Sequence, residues 1–314
     1  MNYEFLKDKP ARFETLTGYK LEEFIALLLV FRATFLEHYS TITLNGEPRI
    51  KRRYSTYKTS CLPSFEDKLL FVLVYLRKAP TQDMMGELFG MCQLVANKWI
   101  HRLLPIVNRA LAKLGELPSR ETSPSDVDMS VNTSVNSRVS KLFFQDATER
   151  PIQRPKDPQV QKAYYSGKKK QRTIKNNLVI NAESKVVFLT PTFEGRIHDK
   201  QIADIVGYTV PNGSDLYQDA GFQGFTRPDV HIIQPKKKPK GKELTPEEKE
   251  KNRLISSIRI QAEHAISGVK RYRIVKDKLR NWKKGFCDLV METCCGGHNF
   301  RLNFRPWCYE TPTI

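Results

Sequence analysis

The sequence predicts an all-helical segment over residues 1–115 and an α/β domain over 140–306. A linker at 116–139 joins them, and a short tail follows at 307–314. Three observations carry this reading. The first part shows apolar residues at helical spacing. The second interleaves short alternating or apolar runs with amphipathic ones, the order expected of an α/β core. Between them, ELPSRETSPSDVDMSVNTSVNSRV is rich in Ser, Thr, Asp and Asn, a composition that favours irregular backbone.

In LEEFIALLLVFRATFLEHY, Leu21, Phe24, Leu28, Phe31 and Phe35 recur along one helical face. After a basic loop, RIKRRYSTYK, a second helix runs through FEDKLLFVLVYLRK. TQDMMGELFGMCQLVANKWIHRLLPIV then reads as two helices around a tight turn at Phe89-Gly90-Met91, the pattern of a helix-turn-helix unit. In its second helix Ala96, Trp99, Ile100, Leu103 and Val107 form a core stripe. Gln93, Asn97, Lys98, His101 and Arg102 fall on the other side. That face is either a solvated surface or a reader of DNA, since Gln and Asn can bond adenine edges and Lys and Arg reach guanine or phosphate.

In the second part, KLFFQDA reads as a buried strand ending in an acid. NNLVINAESKVVFLTPTF reads as a hairpin, HDKQIADIVGYT as a helix, and DLYQDAGFQGF as a strand entering a glycine turn. VHIIQPKKK is a further strand before the basic loop KKKPKGKELTPEEKEKN. Helices follow at NRLISSIRIQAEHAISGVKR and KKGFCDLVMETCCGGHNFRL.

Charge decides the class of partner. There are 52 Lys and Arg against 34 Asp and Glu, a formal net charge of +18. An excess of this size favours a polyanionic partner, most simply nucleic acid. No basic amphipathic anchor sits beside an apolar tail, so a membrane surface fits less well. The longest apolar run, Phe24 to Phe31, is too short to cross a bilayer. The charged opening MNYEFLKDKPARFE predicts no secretory leader. Six cysteines lack paired CxxC spacing. Cys294, Cys295 and His298, near Cys287, allow a zinc site, but reduced thiols on a helix and a cytoplasmic setting are the plainer expectation.

Three acids stand out. Asp146 and Asp219 each end a strand pattern, and Glu263 lies on a helix rich in cations. Acids at strand ends gather at one sheet edge, where sites form. Together they would repel unless cations neutralised them, and hard divalent ions with open positions for water and phosphate suit that task. The bland alternatives are turn-forming or capping aspartates and a surface Arg259–Glu263 pair at i, i+4. Arg259, Glu263 and Lys270 fall within roughly 40° of one another on a helical wheel. Asp199 reads as a helix N-cap or a supporting acid, the cap being the simpler role. The segment Tyr164-Tyr165-Ser166-Gly167-Lys168-Lys169-Lys170 mixes aromatic and cationic side chains, suited to gripping a strand, or to a solvated hairpin loop.

These residues resemble a known family. FFQDATERPIQRP, QKAYYSGKKKQRTIKNNLVI, GRIHDKQIAD, LYQDAGFQGF and NRLISSIRIQAEHAISGVKR are similar to the catalytic domain of DDE transposases of the bacterial insertion-sequence group related to Harbinger-type elements. The match runs from about Phe143 to Phe304, and the upstream helix-turn-helix resembles the N-terminal module of the same group. The resemblance implies a ribonuclease H-like fold, with a mixed sheet flanked by helices. It implies that Asp146, Asp219 and Glu263 bind two catalytic Mg²⁺ ions, with Mn²⁺ able to substitute. Many relatives carry Tyr, two residues, Arg, three residues, Glu, six residues, Lys. Here Arg259, Glu263 and Lys270 keep that spacing, and Ser256 stands at the Tyr position.

The implied activity is binding of terminal inverted repeats, hydrolysis of phosphodiester bonds at element ends, and joining of the 3′-OH to target DNA. A homodimer or larger assembly on double-stranded DNA is expected. The expected DNA contacts are Gln93, Asn97, Lys98, Arg102, Lys168, Lys169, Lys170, Arg172, Lys175, Arg259, Lys270 and Arg271. The alternatives are an inactive or host-adopted DNA-binding relative and a stand-alone metal-dependent nuclease.

Overall fold

The computed structural model describes residues 1–50, 54–57, 59–120, 141–239, 241 and 243–307. Most of the linker expected at 116–139 lies outside the described residues. The chain divides into two compact units, residues 1–117 with 269–304, and residues 118–268 with 305–314.

The first unit is helical. It contains α1 (Tyr3–Leu6), α2 (Pro10–Thr17), α3 (Leu21–Thr41), α4 (Phe65–Lys78), α5 (Gln82–Phe89) and α6 (Gln93–Lys113). The apolar spacing read from α3 holds for Phe24, Phe31 and Phe35, which are fully buried, while Leu27 rather than Leu28 fills the next core position. Ser64 caps α4 by accepting from the Asp67 amide, and Thr81 caps α5 by accepting from Met84. Such caps satisfy amides that the first turn leaves without partners.

Lys68 lies in this core. Its ammonium donates to the carbonyls of Leu62 and Ser64 at 2.7 and 3.2 Å, among the rings of Phe35, Phe65 and Trp99. Burial lowers its pKa to about 8, against the opposing pull of Asp67 and Glu66.

The turn between α5 and α6 is set by two glycines. Gly90 takes φ 67°, a conformation cheap only without a Cβ. Gly86 lies against the turn itself, where an added Cβ would meet the Met91 carbonyl oxygen at 2.4 Å. Gly86→Ala should therefore push α5 off the turn and lower stability by about 1–3 kcal/mol, the usual range for overpacking. Thermal melting of this variant checks it; an unchanged midpoint would show that the helix pair tolerates the extra carbon.

The sequence assigns α10 (Arg273–Lys276) and α11 (Phe286–Leu302) to the catalytic domain. The structure groups them with the helical unit. The reason is packing: α11 lies along α6 and α10 against α4. Gly297 on α11 leaves room for the paired hydroxyls of Tyr19 and Tyr272, 2.6 Å apart.

The second unit carries the sheet. Its elements are β1 (Leu142–Pro151), α7 (Pro158–Ala163), β2 (Tyr165–Ser166), β3 (Gln171–Asn181), β4 (Val186–Leu189), β5 (Phe193–Glu194), α8 (Asp199–Val206), β6 (Ser214–Gln218), β7 (Val230–Ile233) and most of α9 (Pro246–Lys270). The sheet order is β2-β3-β1-β6-β7, with β4 and β5 also pairing with β3. β1 is antiparallel to β3 and parallel to β6, and β6 is parallel to β7. This mixed sheet with helices about it is the ribonuclease H-like arrangement. Phe143, Val179, Phe188, Ala203, Tyr208, Leu216 and Phe222 close the core between the sheet and α8. Ser119 bridges to Phe188, so the sheet unit already begins within the segment expected to be linker. Thr245 and Glu248 bond each other's amides at the start of α9, a capping box.

Candidate active site

Alternation sorts the side chains of β1 between two faces. Phe143 and Gln145 share the face covered by α8, and Phe144 and Asp146 share the other. β6 runs parallel with Gln145 opposite Gln218. By the same alternation Leu216 and Gln218 lie on the α8 face and Tyr217 on the other, where its ring is 5.8 Å from that of Phe144. The parallel pairing ends at Gln145 and Gln218, and the next residue on each chain is an aspartate. Asp146 does not end its own strand, as the sequence suggested. β1 continues to Pro151 because β3 pairs with it from Phe143 to Pro151. What ends at Asp146 is its parallel neighbour.

Asp146 accepts from the Ala147 amide at 2.7 Å. Burial raises its pKa to about 6. The Ala147 bond and Arg259 oppose that shift, while the charges of Asp219 and Asp199 add to it. Asp219 caps a single 3-10 turn, Ala220–Phe222, through the Ala220 amide at 2.8 Å. Arg259 on α9 approaches Asp219 at 3.5 Å with its side chain only 11% exposed. Its Nε is buried with no hydrogen-bond acceptor among the described residues. The i, i+4 pair with Glu263 is absent among the described residues, because Arg259 turns to Asp219 instead. Glu263 sits exposed one turn further along α9.

Asp199 is the first residue of α8, and His198 holds the cap position. The expected capping role is thus replaced by an ion pair. Its Oδ1 lies 2.9 Å from Lys175 Nζ, and its carbonyl accepts from Asn177 at 2.8 Å. Gly221, two residues past Asp219, admits this carboxyl because an added Cβ would come within 3.1 Å of its Oδ2. Lys175 was expected to grip DNA. It is buried, donates to the Ile197 carbonyl and pairs with Asp199 and with Glu149 at 3.6 Å. Its charge is spent inside the sheet unit.

A buried amide relay escaped the sequence reading. Gln234 donates to Gln218, Gln218 to Gln145, and Gln145 to the Tyr208 hydroxyl. Gln145 and Gln218 are completely buried, so each link satisfies a group that would be costly to leave alone. The relay ties together the two strands immediately before the two aspartates. Its signal was present in the repeated Gln-Asp-Ala of FFQDA and LYQDA.

The remaining expected contacts separate into groups. Gln93 and Lys98 are exposed on α6 and Asn97 is half-buried. Arg102 donates to Asn45 at 3.1 Å and lies 5.5 Å from the Trp99 ring. Lys168, Lys169 and Lys170 are exposed in the β2–β3 turn, and Arg172 is half-buried beside Tyr165. Lys270 ends α9, and it and Arg271 belong to the first unit. Lys236 and Lys238 of the basic loop pair with Glu248 and Glu243. Cys294, Cys295 and His298 are buried in α11.

Among the described residues no three His, Cys, Asp or Glu side chains converge as a metal-holding group. Asp146 and Asp219 nevertheless suit a hard cation. They offer oxygen donors, and burial, with the neighbouring acids adding to it, makes an unneutralised charge on Asp146 costly. Mg²⁺ is commonly held by one or two carboxylates, with waters and substrate phosphates completing the shell.

Residues 145–299 match a family model described as DDE superfamily endonuclease, and residues 60–113 match one described as helix-turn-helix of DDE superfamily endonuclease. Over 249 residues the chain is 30% identical to the probable transposase for insertion sequence element IS702 of Microchaete diplosiphon, covering 76% of this chain and 82% of that protein. No solved structure matches the chain. With a helix-turn-helix ahead of a mixed sheet whose adjoining strands deliver two aspartates side by side, the chain belongs to the DDE superfamily of endonucleases, among the transposases.

Proposed function

We propose that this transposase binds the terminal inverted repeats of its element and hydrolyses a phosphodiester bond at each end. The freed 3′-OH then joins target DNA. The observation that carries this reading is the juxtaposition of Asp146 and Asp219 with the buried Arg259 beside them. Asp146 and Asp219, with Glu263 as third donor from α9, are proposed to hold two Mg²⁺ ions. Such ions supply charge neutralisation at the attacking and leaving oxygens of an in-line displacement.

The chain's own residues do the rest. Among the described residues Arg259 pairs with Asp219 at 3.5 Å and its charge also acts on Asp146, while its buried Nε is left without an acceptor, which suits a non-bridging phosphate oxygen. The amide relay holds the two strands in register, and the Lys175–Asp199 pair fixes the start of α8 against the turn after Asp219. Water and then the 3′-OH act as nucleophiles, so no covalent protein intermediate arises. Two ends must be processed together, so an assembly of at least two copies on DNA is proposed.

The test is incubation of the full chain with duplex DNA bearing the element end, with and without Mg²⁺. End-specific nicks that need Mg²⁺, and joined products when target DNA is added, are expected. Cleavage that proceeds equally in chelator would overturn the reading. Nicks without joining would favour a stand-alone nuclease.

The helix-turn-helix is proposed to read the repeat through α6. Gln93→Ala and Asn97→Ala should each reduce the preference for end DNA over random DNA by about 1–3 kcal/mol, as loss of a base-edge contact does. Lys98→Ala should weaken both and lower the salt slope by about one. Arg102→Ala should change less, because that side chain is already engaged by Asn45 and Trp99. Fluorescence anisotropy at stated salt measures all four, and equal affinity of the wild type for end and random DNA would remove the reading role.

A further inference from the structure

The sheet unit holds a cavity of about 580 Å³ lined by Pro158, Gln161, Lys162, Tyr165, Gly167, Arg172 and Arg196. Its walls set the Tyr165 ring and three cations beside Pro158, Gln161 and Gly167. The Arg172 guanidinium lies 5.6 Å from the Tyr165 ring centre. Gln161 fixes this side by accepting from Arg172 at 3.2 Å and from Arg154 at 2.7 Å. Arg172 Nε is buried with no acceptor among the described residues. Lys162 and Arg196 are exposed at the rim, and the exposed Lys168, Lys169 and Lys170 follow directly after Gly167.

We propose that this cavity receives one unpaired nucleotide of bound DNA, its base against Tyr165 and its phosphate between Lys162 and Arg196. The inference rests on the transposase reading for the identity of the polyanion and adds the form in which one nucleotide is taken. The argument is geometric. Cations alone would suffice to grip the backbone of intact duplex, and a flat or convex surface serves that purpose. This open cleft has a volume within the size range of small-ligand pockets, enough to admit one nucleotide between the Tyr165 ring and the cationic rim. The partly exposed Tyr165 ring favours a flat π-face as the entering group, and every base offers one. In duplex DNA both base faces are covered by neighbours, so the entering nucleotide must leave the stack.

Strand geometry gives its place. The Arg172 carbonyl accepts from the Ile152 amide, six residues along the chain from Asp146. At about 3.3 Å per residue the cavity lies roughly 20 Å from Asp146 along the strand. That span corresponds to roughly six base pairs of B-DNA at 3.4 Å each.

The test uses the full chain in Mg²⁺-free buffer. Its substrates are an element-end duplex and the same duplex with one unpaired 2-aminopurine placed three to eight positions from the cleavage point. The unpaired probe should bind about tenfold more tightly, with a change in its fluorescence strongest near the sixth position, the gain being of the order of one base–aromatic stack. Tyr165→Ala should abolish the preference and Tyr165→Phe should keep it. Gly167→Leu is a second route: an added Cβ there meets nothing within 4 Å, so a side chain is tolerated at the lining and narrows the cavity while every cation stays. It should also reduce the preference.

Equal affinity of the wild type for paired and unpaired probes would overturn the proposal, as would a preference that survives both Tyr165→Ala and Gly167→Leu. Failure of the transposase reading shows separately, as absence of Mg²⁺-dependent cleavage of the fully paired end.

Discussion

Asp146→Ala and Asp219→Ala are each expected to reduce single-turnover cleavage of an element end by roughly 10³-fold, at the upper end of what losing one preorganised electrostatic contact costs. Affinity for the end should hold within about threefold, because phosphate and base contacts elsewhere position the DNA. Both residues follow the last paired residues of neighbouring parallel strands, so neither has a substitute nearby on its own face. Asp199 is close enough to influence Asp146 but is committed to Lys175. Glu263→Ala sharpens the test, because Glu263 stands exposed while Arg259 occupies the approach to Asp219. If Glu263 is the third donor, its loss should match the other two. If cleavage by Glu263→Ala stays near wild type while the aspartate variants fail, the site is a pair of aspartates and the third donor lies elsewhere. A cutting-competent Asp146→Ala or Asp219→Ala protein would remove that residue from the chemistry.

The two aspartates stand out in the sequence because each follows an apolar run, although an acid there commonly forms a turn or a cap, and Asp219 does cap one. Their shared face was not, since it depends on a parallel register between segments about seventy residues apart in the chain, which no local pattern encodes. The same limit explains Lys175. Its sequence neighbours are cationic and polar, so it reads as one more DNA contact. Only the fold brings Asp199 and Glu149 to it. Arg259 shows a local rule losing to a distant partner: the i, i+4 spacing offered Glu263, and Asp219 prevailed. Helix α11 follows the catalytic segments in the chain, and the endonuclease family model runs on to residue 299, yet the helix packs on α6. The helix-turn-helix, by contrast, was readable, because its core stripe and turn glycine are both local.

Asp146→Asn is expected to stabilise the protein at neutral pH in metal-free buffer while destroying its activity. The sign follows from linkage. The folded carboxyl titrates near 6, above the ordinary value of 3.8. Below pH 3.8 the group is protonated in both states and costs nothing. Between pH 3.8 and about 6 the unfolded chain gives up this proton while the folded one keeps it, so stability falls across that window and levels off above it, where the folded state holds a buried charge beside two other acids. Full conversion of that shift would give about 3 kcal/mol at 1.36 kcal/mol per unit. Partial solvent contact of Asp146 reduces the expected gain to about 2 kcal/mol. Asparagine retains the oxygen that accepts from Ala147 and carries no charge, so the gain reports electrostatics and not repacking. Melting should rise by roughly 4–8 °C at pH 7.5, using about 2–4 °C per kcal/mol for a large domain, and by little at pH 4. Adding Mg²⁺ should stabilise the wild type and not the variant, which separates a site built to hold a cation from an aspartate strained for some other reason. A variant that melts at or below the wild type at pH 7.5 would mean that Arg259 already neutralises this carboxylate in the absence of metal. The case for a charge-deficient site at the ends of β6 and its neighbour β1 would then fail.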